Sequence, residues 1–218
     1  MKIKNRIIIK SVLLIVFFVT IFSCKPNQYV PKPGDLLFQI DRDSDFTDAI
    51  VKSTTSSEDY AFSHVAIVGL DENKTFVVEA VPNEGVRKVS LEQFLMSTNK
   101  SENGMPLVVA YRLKFWTRAV NPVENALKYV GMPYDSVFSH NNGAFYCSEL
   151  VYECYLDKNQ KHIFSTVPMS FSDSTGQILD YWIEYYKNIN QEIPEGKPGT
   201  NPNLLSKQKQ LRDLRVFR

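Results

Sequence analysis

Cysteine is scarce in this chain: three in 218 residues, too few for a disulfide framework. Histidine is as scarce, also three, and the two residue types share no paired ligand spacing, so no metal or other cofactor is expected. There is no glycine-rich phosphate loop and no internal repeat. An excess of charge of either sign is lacking too. The formal net charge is +1, and four of the positive residues (Lys2, Lys4, Arg6, Lys10) stand in the first ten positions with no acid among them. Without that segment the net charge is −3, which speaks against nucleic acid as a partner. Long apolar runs are missing except for SVLLIVFFVTIF near the N-terminus, about a dozen residues and short for a membrane span. At 44% hydrophobic and 22% charged, the chain is neither disordered nor collagenous, and it is long enough for one domain with a real core.

What is present at the N-terminus reads as an address. A basic segment, the apolar run and then IFSC (Ile21 to Cys24) have the order of a secretory signal. The last four resemble the bacterial lipobox, in which the cysteine is acylated and becomes the mature N-terminus. Phe22 is bulkier than is usual there. Residues 1–23 are therefore expected to be a lipoprotein signal peptide, Cys24 the lipidation site, and 24–34, rich in proline and polar residues, a tether. The remainder, 35–218, would lie in the cell envelope, outside the cytoplasm and bound to a membrane through the N-terminal lipid.

Within that remainder GDLLFQI predicts a strand and SDFTDAIVKST a helix capped by Ser44. FSHVAIVGL, KTFVVEAV and EGVRKVS, separated by the turns DENK and PNEG, predict three adjacent antiparallel strands. Ser90 and Gln93 form a capping box for LEQFL, and LVVAYRLKF predicts another strand. NPVENALKYVG predicts a helix with Asn121 as N-cap, Pro122 in the first turn and Gly131 at the end. SELVYECYL and QILDYWIEYYKNI predict two further helices, and IPEGKPGTNPNLL an irregular loop. The fold class is a single α+β domain with an antiparallel sheet in the middle.

A thiol attacks as thiolate, and the start of a helix favours the anion through its unpaired amides and dipole. Cys147 stands at such a start; Cys154, seven residues on in the same helix, reads as a small buried hydrophobe. Two turns of helix hold them too far apart to bridge. A nucleophile needs a base. His64 opens an apolar strand and is held on a rigid element, whereas His140, in SHNNG, and His162, beside Lys161, read as solvated. Glu79 is the one acid in VVEA on the next strand, costly to bury unless partnered. Cys147, His64 and Glu79 are the expected nucleophile, base and orienting group. Asp35 reads as a turn or strand-edge acid, and Glu149 as a first-turn carboxylate near the mouth of the cleft.

These residues carry a family resemblance. GDLLF, SHVAIVG and a strand ending EA resemble the second half of the NlpC-type papain-like cysteine amidases, and GMPYDSVFSHNNGAFYCSELVYECY resembles their first half. The halves stand in swapped order, the mark of the permuted YiiX-like and YaeF-like branch. The resemblance implies a circularly permuted papain-like fold, with Cys147 as nucleophile, His64 as base and Glu79 at the third polar position. Tyr134 then matches the tyrosine on the oxyanion side, with the backbone amide of Cys147 as the other donor. YCSE replaces the usual DCSG, and the Gly-Gly that follows PY in the family is absent.

The activity implied is hydrolysis of an amide, in a cell-wall peptide, through a thioester. A diamino acid amine pairing with Glu149 would mark the substrate. Two alternatives use the same fold. Lipid acyltransferases and thioesterases resembling the lecithin–retinol type usually carry a second histidine where Glu79 stands. A non-catalytic binding module would have lost the thiol or the base, and this chain keeps both.

Overall fold

A computed structural model describes residues 29–41, 43–54, 60–115 and 117–214. The expected signal peptide, Cys24 and the first part of the expected tether lie outside the described residues. Five strands come early: β1 (Leu36–Gln39), β2 (His64–Asp71), β3 (Lys74–Val81), β4 (Gly85–Ser90) and β5 (Val108–Leu113). Between them lie α1 (Asp45–Thr54) and α2 (Leu91–Met96). Then follow α3 (Pro122–Lys128), α4 (Cys147–Cys154), β6 (Val167–Pro168), α5 (Asp180–Asn188), β7 (Pro198–Gly199), α6 (Pro202–Ser206) and β8 (Leu211–Asp213). The main sheet is antiparallel, six strands in the order β4-β3-β2-β1-β5-β8; β6 and β7 pair separately.

The central strands are apolar on both sides because both faces are covered. Val65 and Ile67 of β2 face Leu150 and Val151 of α4 and Ala126 of α3. Ala66 and Val68 point the other way, toward Phe94 of α2. A third cluster joins α1 and α5 to the loops around α4 through Phe138, Tyr146, Phe171 and Trp182.

Local signals explain most boundaries. Ser44 accepts from the Thr47 amide at 3.2 Å, and Ser90 and Gln93 close the expected capping box at the start of α2. Asn121 departs from expectation. It holds the N-cap position at φ +48 without capping through its side chain, whose amide instead donates to Glu124 at 2.8 Å. The segment read as an irregular loop contains β7 and α6, capped by Asn201 accepting from the Leu204 amide at 2.8 Å. β8 has no counterpart in the sequence reading; three residues carry too little periodicity to announce a strand. Asp35 ends the turn that leads into β1, as expected, and is fully buried. Arg112 donates to it twice, at 2.5 and 2.7 Å, and the Tyr29 hydroxyl once, at 2.8 Å.

One glycine links the sheet to the region of Cys147. Gly85, at φ +71, lies so close to the loop after α3 that a Cβ there would sit 2.2 Å from the Met132 carbonyl oxygen. The approach lets Val86 donate to that oxygen at 2.8 Å and Gly131 donate back to Val86 at 2.8 Å. Tyr134 follows directly, bridged in parallel to Phe145, two residues before Cys147.

Candidate active site

His64 is the first residue of β2, with its side chain 14% exposed. The β2–β3 register ends at Ile67↔Val78, and the next residue on β3 is Glu79, 2% exposed. The ring nitrogen Nε2 of His64 lies 2.7 Å from Glu79 Oε2. Cys147, 6% exposed, opens α4, and its sulfur interacts with the same ring closely enough to favour the ring's charged form. With Nε2 committed to Glu79, Nδ1 is the nitrogen left for sulfur. The structure thus brings Cys147, His64 and Glu79 together around one imidazole.

Arg87 completes the arrangement. It stands directly opposite Glu79 in the β3–β4 register and donates to Glu79 Oε1 from Nε at 3.0 Å and Nη2 at 2.8 Å. Its third nitrogen, Nη1, donates to Glu84 at 2.5 Å. The sequence reading missed Arg87, although a signal was there. A short turn at Pro82–Glu84 that pairs Val81 with Gly85 places position 87 opposite position 79.

The electrostatics follow from these contacts. Burial works against a charged His64, but its interactions with Cys147 and with Glu79, whose carboxylate accepts from the ring, outweigh it and raise the imidazole from 6.5 to about 10. These contacts favour the imidazolium form. Burial would also push Glu79 up, yet His64 and Arg87 together hold it below the usual carboxylate range. Beyond the sulfur the charges therefore alternate: imidazolium, carboxylate, guanidinium. Cys154 is fully buried, with a thiol pushed far up by desolvation, and serves as a core residue. Both cysteines are free.

A small pocket of about 40 Å³ opens at Cys147. Ile50, Phe138, Met169, Phe171 and Trp182 form apolar walls; Ser148, Thr200 and Asn201 add neutral polar groups; none of the lining residues carries a charged side chain. Tyr134 lines the same pocket. Burial pushes its hydroxyl far above the usual tyrosine range, so it keeps its proton and can donate to an oxyanion. Thr200 and Asn201 come from the C-terminal segment, where no local signal marks them. Asn203 secures that segment: its side chain accepts from the Phe62 amide and donates to the Phe62 carbonyl, both at 2.8 Å, two residues before His64.

Two expectations are corrected. Glu149 does not stand at the cleft mouth but is 1% exposed and 2.9 Å from His140 Nδ1. His140 is accordingly not solvated. The YCSE sequence placed the carboxylate in the first turn, but helix rotation turned it toward the 139–142 loop and away from the pocket. His162 is exposed as expected, stacked on Tyr152 with ring centroids 4.0 Å apart.

The family model described as permuted papain-like amidase enzyme, YaeF/YiiX, C92 family, matches residues 30–215. The chain belongs to this family. The protein YiiX of Escherichia coli strain K12 is 29% identical over 159 residues, covering 70% of this chain and 67% of YiiX. A crystal structure titled metalloprotein YiiX, from Escherichia coli O157:H7, superimposes with a TM-score of 0.64 at 25% identity, covering 85% of this chain and 97% of that one. This member of the permuted papain-like family offers no matching donor set. Both Glu79 oxygens are occupied, and among the described residues no group of three or more His, Cys, Asp or Glu side chains could hold a metal ion.

Proposed function

We propose that this permuted papain-like protein is a lipid-anchored cysteine hydrolase of the cell envelope, opening an amide bond in a cell-wall peptide. The observation that carries the reading is the single imidazole shared by Cys147 and buried Glu79. The Cys147 sulfur attacks the carbonyl carbon, and the oxyanion accepts hydrogen bonds from the Cys147 amide and the Tyr134 hydroxyl. Collapse expels the amine, which takes its proton from the His64 imidazolium and leaves a thioester on Cys147. His64, now neutral, removes a proton from water; the resulting hydroxide adds to the thioester, and the carboxylic acid departs as the thiolate–imidazolium pair is restored. Glu79 keeps the ring oriented throughout.

The acyl side of the substrate enters a pocket without charge, which suits an apolar residue such as the alanine of cell-wall peptides better than a diamino acid amine. Glu149 is not available for that amine. The same neutral walls favour a second reading, acyl transfer or thioester hydrolysis on a lipid substrate. The tether agrees with a site held just off a membrane: ten residues reach roughly 35 Å when extended.

Three measurements on the purified full chain test the reading. Iodoacetamide at neutral pH should label Cys147 far faster than Cys154. Cell-wall peptide amides should be cleaved while dispersed phospholipids and acyl thioesters stay intact; the reverse result replaces amide hydrolysis by acyl transfer. Cys24→Ala should release the protein from the membrane fraction, and unchanged tight association would end the lipid-anchor proposal.

A further inference from the structure

Phe138 stands between two cavities. Among the described residues it is the one residue common to the lining of the pocket at Cys147 and of a second, wider groove bordered by His140, Tyr152 and Lys197. Its ring is 7% exposed and meets Tyr146 and Trp182 edge-on, with centroids 5.3 and 5.9 Å away. Its backbone lies at φ +53, a region that a bulky side chain adopts only when its surroundings impose it.

The surroundings are explicit. The buried carboxylate of Asp135 accepts from the amides of Val137 at 2.9 Å and Ser139 at 2.6 Å, on either side of Phe138. From α5, Tyr185 donates to the Ser136 carbonyl at 2.8 Å and Tyr186 to the Val137 carbonyl at 3.2 Å. Four hydrogen bonds hold the loop in a conformation that glycine would take without strain. The side chain that is kept there is an aromatic ring, and it separates the two cavities.

We infer that Phe138 is the end wall of the acyl pocket and sets the longest acyl group the site takes. Without the ring the pocket continues into the groove behind it. The inference rests on the reading that the acyl side of the substrate occupies the pocket at Cys147, and its test does not depend on turnover. Trp182 lines the pocket and touches Phe138, so its fluorescence reports occupancy once Trp116, the other tryptophan, is replaced by phenylalanine.

The full chain carrying Cys147→Ala is titrated with unbranched primary amides from acetamide to dodecanamide, with Phe138 intact and as Phe138→Gly. Glycine keeps the positive φ, and a cooperative thermal transition confirms folding; Phe138→Asn serves if glycine loosens the loop. With Phe138 present, affinity should rise about fourfold per methylene and then stop at a defined length. Phe138→Gly should move that limit out by two or more methylenes. The same limit in both proteins, or no dependence on length in either, overturns the inference. A shifted limit without turnover of any amide or ester by the Cys147 protein would sink the hydrolase reading and leave the wall standing.

Discussion

Two buried histidine–glutamate pairs occupy this molecule, and they behave differently. His64–Glu79 closes at 2.7 Å and His140–Glu149 at 2.9 Å, with the carboxylates 2% and 1% exposed. The first pair is extended at both ends, by Cys147 on the ring and by Arg87 on the acid. In the second, His140 Nε2 and Glu149 Oε2 are buried with no hydrogen-bond partner. The consequence appears in the acids. Burial opposes ionisation of both, but Glu79 ends below the carboxylate range and Glu149 above it. A histidine beside a glutamate is thus not in itself a catalytic base. The groups beyond the pair decide whether it holds a full charge separation next to a nucleophile.

The largest expected effect breaks the first pair and spares the second. His64→Ala should lower kcat/KM by about 10³-fold or more, whereas His140→Ala should change it less than about threefold, measured on one substrate with circular dichroism to confirm folding. Equal losses would erase the distinction. Stability gives a second readout. The pKa of His64 is raised, so its contribution is fully present below about 6.5 and is lost as pH rises through about 10. His64→Ala should flatten that alkaline decline in denaturant titrations.

A smaller effect sharpens the role of the groups beyond the pair. Arg87→Met leaves Glu79 Oε1 buried without its donors, and kcat should fall about tenfold, the value of a charged hydrogen bond. Because the pKa of Glu79 is lowered, its stabilisation is present above the unfolded value and lost as pH falls through the folded one. Removing Arg87 raises that folded value, so the acid limbs of activity and stability should both move to higher pH. An unshifted pH profile with lower kcat would make Arg87 merely a packing residue.

The smallest effect concerns the second pair. The pKa values of Glu149 and His140 are both raised, the first chiefly by burial and the second chiefly by its bond to Glu149. Their contributions are therefore present on the acid side and fade as pH rises through the folded values. Glu149→Gln should leave kcat unchanged and flatten the decline of stability as pH rises above the ordinary carboxylate range, by about 1 kcal/mol. A steeper curve, or a loss of turnover, would restore Glu149 to the site.

The first pair could be read from sequence and the second could not. His64 and Glu79 each stood alone as a polar residue in an apolar strand, a local anomaly, and Cys147 stood at a helix start. The strands β1 to β5 and the capping box of α2 were equally local, written in alternation and turn residues. Glu149 and His140 are joined across a loop with no periodicity, so nothing nearby in sequence announces the contact. Arg87 needed the hairpin register to be worked out, residue by residue. Thr200, Asn203 and β8 reach the sheet or the pocket from about fifty to a hundred and forty residues away, a distance over which only the folded chain carries information.

The Asn203 clamp on Phe62 also has a temporal side. Synthesis delivers His64 first, Cys147 some eighty residues later, and after both the segment that carries Thr200 of the pocket wall and Asn203. Domains complete their folding once the whole unit is available. A partly made chain therefore holds a histidine strand without its thiol, and later a thiol without a closed pocket. In this arrangement the pocket at Cys147 is completed last, at the moment the C-terminal segment docks.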